Sequence, residues 1–531
     1  LFAEELMRFQ AFPGLLLGTG LLASLLGAQT PAASAKPEAA VPQAPTFHLT
    51  TLPARPRPHD ARTAQIIAAI SAARIKKEDD ALVAFGTRVS TSDYHPGGPE
   101  DAGSTTESTD TRGVVPARKW IYAQYQEIAK ASGGRLQVSI DDFAVPKQRR
   151  VPEDQTMANV VAVLPGTDPN DNRIFVVSGH YDSIPADFKL DAPGANDDAS
   201  GVLIAMESAR ALSKFQFPAT IEFLAVEGEE QGLIGSKHAA DEAKAKGQNV
   251  VGMFDDDKTG GDQTPGYENT NTMRAYSIGV DPKATPEQLR YITSNAFEND
   301  SPARELARFS SEVAQMYLPN FKVLVEYRYD RFQRGGDHES FQNDGFPAVR
   351  FSEFRENSNH EHVPVSVTPA GIEMGDRGKW ISPTYIANEA RVNALTLAAL
   401  ASSPLPPAHV YFRGGQAIGT PVQWSPVEGA ASYRVLLRPT SAPNWTIRIV
   451  APAVEAPPPP TRAGAPPADA NAPPPEKLYQ ITVPQSPDNY LFAVVAVDQD
   501  GHESLPTLAV ARTFARGGRG RGAAPAGRGG R

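Results

Sequence analysis

Between residues 136 and 402, short apolar runs of strand character alternate with stretches of helical period, and that alternation leaves the chain few architectures. Leu136–Val145 alternates apolar and polar side chains. Met157–Leu164, Ile174–Ser178, Thr220–Val226, Val250–Phe254 and Ala348–Phe351 are short and rich in β-branched and aromatic residues. Gly201–Lys214 has helical period and lies between two of these runs, with Ser200 placed to cap it. Thr384–Ala401 is a long helix that closes the series. Strands separated by helices are joined by crossovers, so the expected fold is α/β, a mostly parallel central sheet flanked by helices on both faces. Ala61–Ala84 and Arg118–Ala131 read as two helices ahead of it, around a polar loop at Ser90–Gly113.

The length of 531 residues leaves room for more than this domain. Pro404–Pro407 mark a boundary, and beyond it the texture is all-β. Trp424, Tyr433–Leu437 and Tyr490–Val497 are strand-like, with turns at Glu428-Gly429 and Asp500-Gly501. These positions, with the segment AVDQDGHES, resemble a fibronectin type III sandwich, expected over 407–515. A Pro/Ala run at 451–475 interrupts it and cannot be a central strand, because proline has no N–H for the ladder. The Gly/Arg tail 516–531 has the composition of a disordered segment. At the other end, Ala11–Ala28 is an apolar run closing on small residues. That is the order of a secretory signal peptide, 1–28, followed by a Pro-rich linker, 29–58. The reading predicts a secreted or periplasmic protein with no stable membrane span after signal removal.

Composition excludes several chemistries. The chain has no cysteine, so disulfides, thiolate metal sites and a cysteine nucleophile are ruled out. Any metal must be held by His, Asp and Glu. Lys+Arg number 51 against 61 Asp+Glu, and five of the arginines crowd into the last sixteen residues. A body this acidic argues against nucleic acid as a partner, since phosphate binding needs a basic face.

Five short segments place acids and histidines just after apolar strands: Gly179-His180-Tyr181-Asp182, Gly194–Gly201 with Asp197 and Asp198, Val226–Gly232 with Glu229 and Glu230, Asp255–Gly260, and Asn359-His360-Glu361-His362. In an open α/β sheet, ligands bind outside the carboxyl ends of the strands, so such groups can converge there. A strand-end histidine alone is more often structural; five such segments in this order point to a site. Histidines and carboxylates without cysteine suit a pair of Zn²⁺ ions bridged by one carboxylate. Asp182, two residues beyond His180, can fix the imidazole tautomer. The Glu229–Glu230 pair can supply one ligand and one general base.

These segments resemble the co-catalytic di-zinc aminopeptidases, whose fold is shared with bacterial leucyl aminopeptidase, glutamate carboxypeptidase and glutaminyl cyclase. The resemblance covers about His59–Ser402. Phe85-Gly86-Thr87-Arg88 and Thr111-Arg112-Gly113 also look like that family's N-terminal part. The resemblance implies two Zn²⁺ per chain. One ion takes His180, Asp197 and Asp257; the other takes Asp197, Glu230 and His360. It implies Glu229 as general base, Asp182 as a catalytic residue beside His180 in the family's His-x-Asp, and Asp337 and His338 of Gly336–Phe341 as residues that line or support the pocket without binding metal. Three positions depart from the pattern: Lys258 replaces a hydrophobic residue, Asp255 and Asp256 rival Asp257, and Pro364 stands where an acid often follows the last histidine. His362 is therefore a rival to His360; on an extended segment only one of the two can face the cluster. The implied activity is that of a zinc exopeptidase on peptide substrates, an aminopeptidase first. A carboxypeptidase or dipeptidase would instead need an arginine for the substrate carboxylate, from among Arg328, Arg331, Arg334, Arg350 and Arg355. A one-zinc aminoacyl cyclase and a non-catalytic extracellular binding protein are further readings, disfavoured by the full ligand set.

Overall fold

The apolar runs form one eight-stranded sheet. Its strands are β1 (Gln137–Val145), β2 (Gln155–Leu164), β3 (Arg173–His180), β4 (Thr220–Val226), β5 (Asn249–Asp256), β6 (Thr272–Ser277), β7 (Lys322–Glu326) and β8 (Ala348–Glu353). Their spatial order is β1-β2-β4-β3-β5-β8-β6-β7. Four of the seven pairings are parallel, including all three within the central β4-β3-β5-β8 group. The carboxyl ends of β3, β4, β5 and β8 therefore open on one edge, where loops can bring side chains together. β6 and β7 do not stand out in the sequence, because TMRAYS and KVLVE are short and flanked by polar loops. This computed structural model describes residues 47–92, 112–184, 191–413, 418–457 and 476–512. The expected signal segment 1–28, linker residues 29–46, Thr111, insertion residues 458–475 and the tail 516–531 lie outside the described residues.

The helices are α1 (Arg62–Ala69), α2 (Ala72–Val83), α3 (Val114–Ala131), α4 (Ser200–Leu212), α5 (Ile234–Ala245), α6 (Pro286–Asn295), α7 (Pro302–Tyr317), α8 (His338–Asn343) and α9 (Pro383–Ser402). The single helix expected over Ala61–Ala84 is two. Ile70 is extended, and the Ser71 side chain accepts from the Arg74 N–H at 3.3 Å to start α2. α4 and α9 are buried almost all round, which accounts for their continuous apolar character. Leu203, Ile204, Leu395 and Leu400 are among their core residues, each burial contributing about 1.5–3 kcal/mol. Ser200 does not cap α4 as expected. Its hydroxyl donates to the Asn196 carbonyl at 2.7 Å, inside an irregular turn at Ala195–Ala199 that precedes the helix. Two glycines let this turn sit against the sheet. A Cβ on Gly179 would lie 2.4 Å from the Gly201 carbonyl carbon, and one on Gly201 would lie 1.9 Å from the Asp256 carbonyl oxygen. No helix among the described residues is long and apolar enough to cross a membrane.

The C-terminal region is a two-sheet β-structure. One sheet holds Thr51–Leu52, Ile447–Ala451, Ser432–Pro439, Tyr490–Val497 and Thr507–Leu508; the other holds Tyr479–Val483, Thr420–Trp424, Val410–Phe412 and Val510–Ala511. Trp424, Tyr433, Val435, Leu437, Phe492 and Val494 fill the space between them. The linker reading of 29–58 fails at its end: Thr51 and Leu52 pair with Ile449 and Arg448 as an edge strand of the first sheet. Phe47 and Leu49 have the alternating apolar pattern for this, but a two-residue strand after a proline-rich stretch leaves little periodicity to detect.

Buried charges join the two-sheet region to α7. Arg438 pairs with Asp300, just ahead of the helix, at 2.5 Å, and Arg308 of α7 pairs with the same Asp300 at 2.8 Å; Arg448 reaches Glu312 of α7 while also pairing with Glu503 of its own region at 3.1 Å. The Trp445 indole N–H donates to Glu305 at 2.9 Å. Removing one partner of a buried pair leaves the other charge without compensation. Arg438→Met is therefore expected to destabilise the fold by roughly 3 kcal/mol in urea unfolding. An unchanged midpoint would show that the pair contributes nothing net.

Candidate metal centre

Each strand end delivers its group by a specific local device. β3 ends on His180, whose Nδ1 lies 3.1 Å from the Asp182 carbonyl oxygen. That contact makes Nδ1 the protonated nitrogen and leaves the Nε2 lone pair free to face Asp197 and Asp257. The tautomer is thus set by the Asp182 backbone. The Asp182 carboxylate, 3.6 Å from Nδ1 at its nearer oxygen, is mainly committed elsewhere. It accepts the backbone N–H groups of Gly228 (2.9 Å), Glu229 (3.3 Å) and Glu230 (3.2 Å) and holds that loop in place. Asp182 is accordingly a positioning residue for the Glu229–Glu230 pair.

Arg88 explains the Phe85–Arg88 segment. It is fully buried and donates to the carbonyls of Tyr181 (2.7 Å) and Gly194 (2.8 Å), tying together the segments that carry His180 and Asp197. Asp198 ties them a second time, accepting from the His180 N–H at 3.0 Å and the Gly201 N–H at 2.9 Å.

Asp197 is the centre of the cluster. Its Oδ1 lies 3.2 Å from His180 Nε2, and its Oδ2 lies 2.9 Å from His362 Nε2. Asp257 Oδ1 is 3.9 Å from His180 Nε2 on one side. Glu230 Oε1 is 3.1 Å from His362 Nε2 on the other. Of the three consecutive acids, only Asp257 joins the cluster. Asp255 accepts from the His338 backbone N–H at 3.1 Å, and Asp256 accepts from the Asn393 amide at 2.8 Å. Arg350, fully buried, pairs with the second oxygen of Asp257 at 2.9 Å.

The assignment of the last ligand to His360 is corrected. His360 turns away, its Nδ1 2.5 Å from Asp262 Oδ2 and its ring stacked 4.2 Å from Trp380. His362 takes its place at Asp197 and Glu230. The expectation rested on an extended segment, but Asn359–Val363 is a run of turns with His362 at φ 50°. In that left-handed conformation the alternation rule for strands no longer chooses which side chain faces the site. His362 is also 44% exposed at its side chain, so the cluster opens to solvent on that side.

Two neighbours of the cluster were not anticipated. Glu361 offers an oxygen within 4.8 Å of those of Asp197 and His362. Lys258, at φ 59°, is buried and pairs with Glu361 at 2.5 Å and Glu356 at 3.0 Å, while Arg334 also contacts Glu361. The lysine that departs from the family pattern is thus the counter-ion of an acid beside the site, and an unexpected buried cation was the available sequence signal. The second neighbour, Asp376, accepts from the backbone N–H groups of Asn196 and Asp197. Nothing in its local sequence marks it. Asp337 and His338 do not join the ligand group; His338 faces Asp255, and Asp337 is fully buried and close enough to Glu229 to act on it electrostatically.

The electrostatics call for a cation. Burial, then repulsion from Glu230, Asp257 and Asp337, push the half-buried Glu229 carboxyl well above its ordinary range against the opposing pull of His180. Burial and Asp197 push Glu230 up as well. Burial would raise Asp197 too, but the two imidazoles facing it, His180 and His362, outweigh it and hold the group well below the usual carboxylate range. Burial opposes protonation of His362, yet Asp197 and Glu230 raise it to about 10. A metal ion bound here would supply the positive charge that these crowded carboxylates lack. His180 Nε2 and Glu230 Oε1 are buried and make no well-formed hydrogen bond. An imidazole and carboxylate donor set of this kind fits Zn²⁺.

Comparison with known proteins agrees with this chemistry. Residues 159–366 match the model of peptidase family M28. A probable zinc metalloprotease of Pyricularia oryzae is 34% identical over 461 residues, covering 85% of this chain and 84% of the relative. One of Pyrenophora tritici-repentis is 35% identical over 460 residues, covering 85% and 87%. Among solved structures, LapB from Legionella pneumophila aligns over 66% of this chain and 78% of its own, with 19% identity and a TM-score of 0.45.

Proposed function

The chain belongs to peptidase family M28, the zinc metalloproteases, and on that basis we propose that it is a secreted di-zinc exopeptidase acting as an aminopeptidase. The observation that carries the two-ion reading is the division of the Asp197 carboxylate, one oxygen toward His180 Nε2 and the other toward His362 Nε2. A carboxylate so placed suits a bridge between two ions. His180, Asp197 and Asp257 would hold one ion; Asp197, Glu230 and His362 would hold the other. Zinc, when bound, supplies a Lewis acid for the scissile carbonyl and lowers the pKa of water. Glu229 takes the proton of the attacking water on its carboxylate and returns it to the leaving amine. Asp182 keeps Glu229 at its post through the backbone, and Arg350 steadies Asp257. The acids around the open face favour a substrate's free ammonium group. We read residues 59–402 as the hydrolase domain, the type III-like sandwich as an accessory, and the N-terminal apolar run as the export signal.

One observation favours a second reading. Of the five arginines near the last segment, Arg350 and Arg331 are spent in ion pairs, Arg328 stacks on Phe332 at 3.9 Å, and Arg355 lies 5.8 Å from the Tyr267 ring. Arg334 is exposed and touches Glu361 beside the cluster. A substrate carboxylate docking there would make the enzyme a dipeptidase or carboxypeptidase.

Metal analysis with a substrate panel tests both. Two zinc ions per chain, and hydrolysis of aminoacyl-nitroanilides that is lost to chelator and restored by zinc, are expected. Preference for N-blocked dipeptides would select the second reading. A folded protein that binds no zinc and cleaves neither class would refute both.

A further inference from the structure

The loop that delivers His362 does not simply leave the site. It runs into a two-stranded hairpin, Ser366–Val367 against Glu373–Met374, and comes back. On return the Gly375 N–H donates to the Asn359 carbonyl at 2.9 Å. Gly375 has φ 100°, and a Cβ there would lie 2.8 Å from the Val365 Cα, so the two arms of the strap are pressed together at its base. The next residue is Asp376, 7% exposed. Its Oδ1 accepts the Asn196 N–H at 2.8 Å; its Oδ2 accepts the Asn196 N–H at 3.0 Å and the Asp197 N–H at 2.7 Å. Asp376 is not itself among the groups that could ligate an ion in this cluster.

From this geometry we infer that Asp376 is a positioning residue for the bridging carboxylate: it holds the Asp197 backbone while the same strap presents His362 to the Asp197 side chain. Asp197 sits in an irregular turn with φ −113° and ψ 89°, so no helical hydrogen bond fixes its backbone. The buried Asn196 side chain supports the other side, donating to Glu353 at 2.8 Å and accepting from the Gly260 N–H at 2.6 Å. Asp376 supplies the only charged acceptor among the described hydrogen bonds to the Asp197 N–H. Charge-assisted bonds are the stronger class, and partners that orient a ligand commonly weigh 10–100-fold in metal affinity. Because Asp197 serves both ions, loosening it affects both. Loss of His362 affects one.

The inference rests on the two-ion reading, and the experiment separates the two. Zinc affinity is measured by chelator competition on the full chain, with thermal melts with and without zinc, for the parent, Asp376→Ala and Asp376→Asn. In Asp376→Ala both zinc steps are expected to weaken about 10–100-fold. The metal-free melt should move little, while the rise on adding zinc shrinks. Asp376→Asn keeps one acceptor oxygen and should lose less, and it decides the matter if the alanine variant does not fold. Two zinc steps of parental affinity in a folded variant would overturn the inference, as would equal falls in the metal-free and zinc-loaded melts. A parent that binds fewer than two zinc ions would instead overturn the reading beneath it.

Discussion

Glu229→Gln is expected to lower kcat by about 10²–10⁴-fold while zinc content stays at the parental level. The substitution keeps the size and shape of the side chain and removes only its ability to take a proton. No ligand atom changes, because Glu230, His362 and Asp197 form the neighbouring group without it. The backbone should stay in place as well, since Asp182 holds it through the N–H groups of Gly228, Glu229 and Glu230. Steady-state kinetics beside metal analysis checks the point. A fall in kcat and kcat/KM together marks an interaction made in the transition state. Near-normal turnover would place the base elsewhere, with buried Asp337 the first alternative.

His362→Ala is expected to lose one zinc ion and nearly all activity, whereas His360→Ala should retain both ions. The contrast follows from what each ring touches. His362 Nε2 lies within 3.1 Å of both Asp197 and Glu230, so its removal takes one of three donors from one ion. His360 is bonded to Asp262 and stacked on Trp380, so its loss weakens a loop contact. Removing the His360 ring could still lower stability by about 1–2 kcal/mol through lost packing. Metal analysis of the two variants side by side separates the roles. Loss of zinc in His360→Ala with retention in His362→Ala would reverse the geometry described here.

How much was legible beforehand differs by level. The strand–helix alternation fixes the α/β class because each element is long enough to show its period. His180, Glu230 and Asp257 lie at or just past strand ends whose backbone direction is set by the sheet, Asp197 stands in the turn that opens α4, and all four meet at the cluster. His362 is different: it sits on a loop of turns with a left-handed residue, where spacing says nothing about direction. Asp376 is harder still, because it reaches Asp197 from beyond a hairpin and makes its contact with backbone N–H groups that no side-chain pattern reveals. β6 and β7 are illegible for a simpler reason, since strands of six and five residues carry too few alternations.

The edge strand Thr51–Leu52 changes how the whole chain must be assembled. Among the described residues the chain starts in this β-structure, leaves it to build the eight-stranded sheet and its helices, and re-enters it at Val410. In topological terms the hydrolase body is an insert within the β-structure, tethered at both of its ends. During synthesis the first strand waits nearly four hundred residues for Ile449 to emerge, which at about 5–20 residues per second is roughly 20–80 s. The insert is thus free to mature before the sandwich can close around its two connections. Once it closes, the insert is held to the β-structure by two chain crossings rather than one.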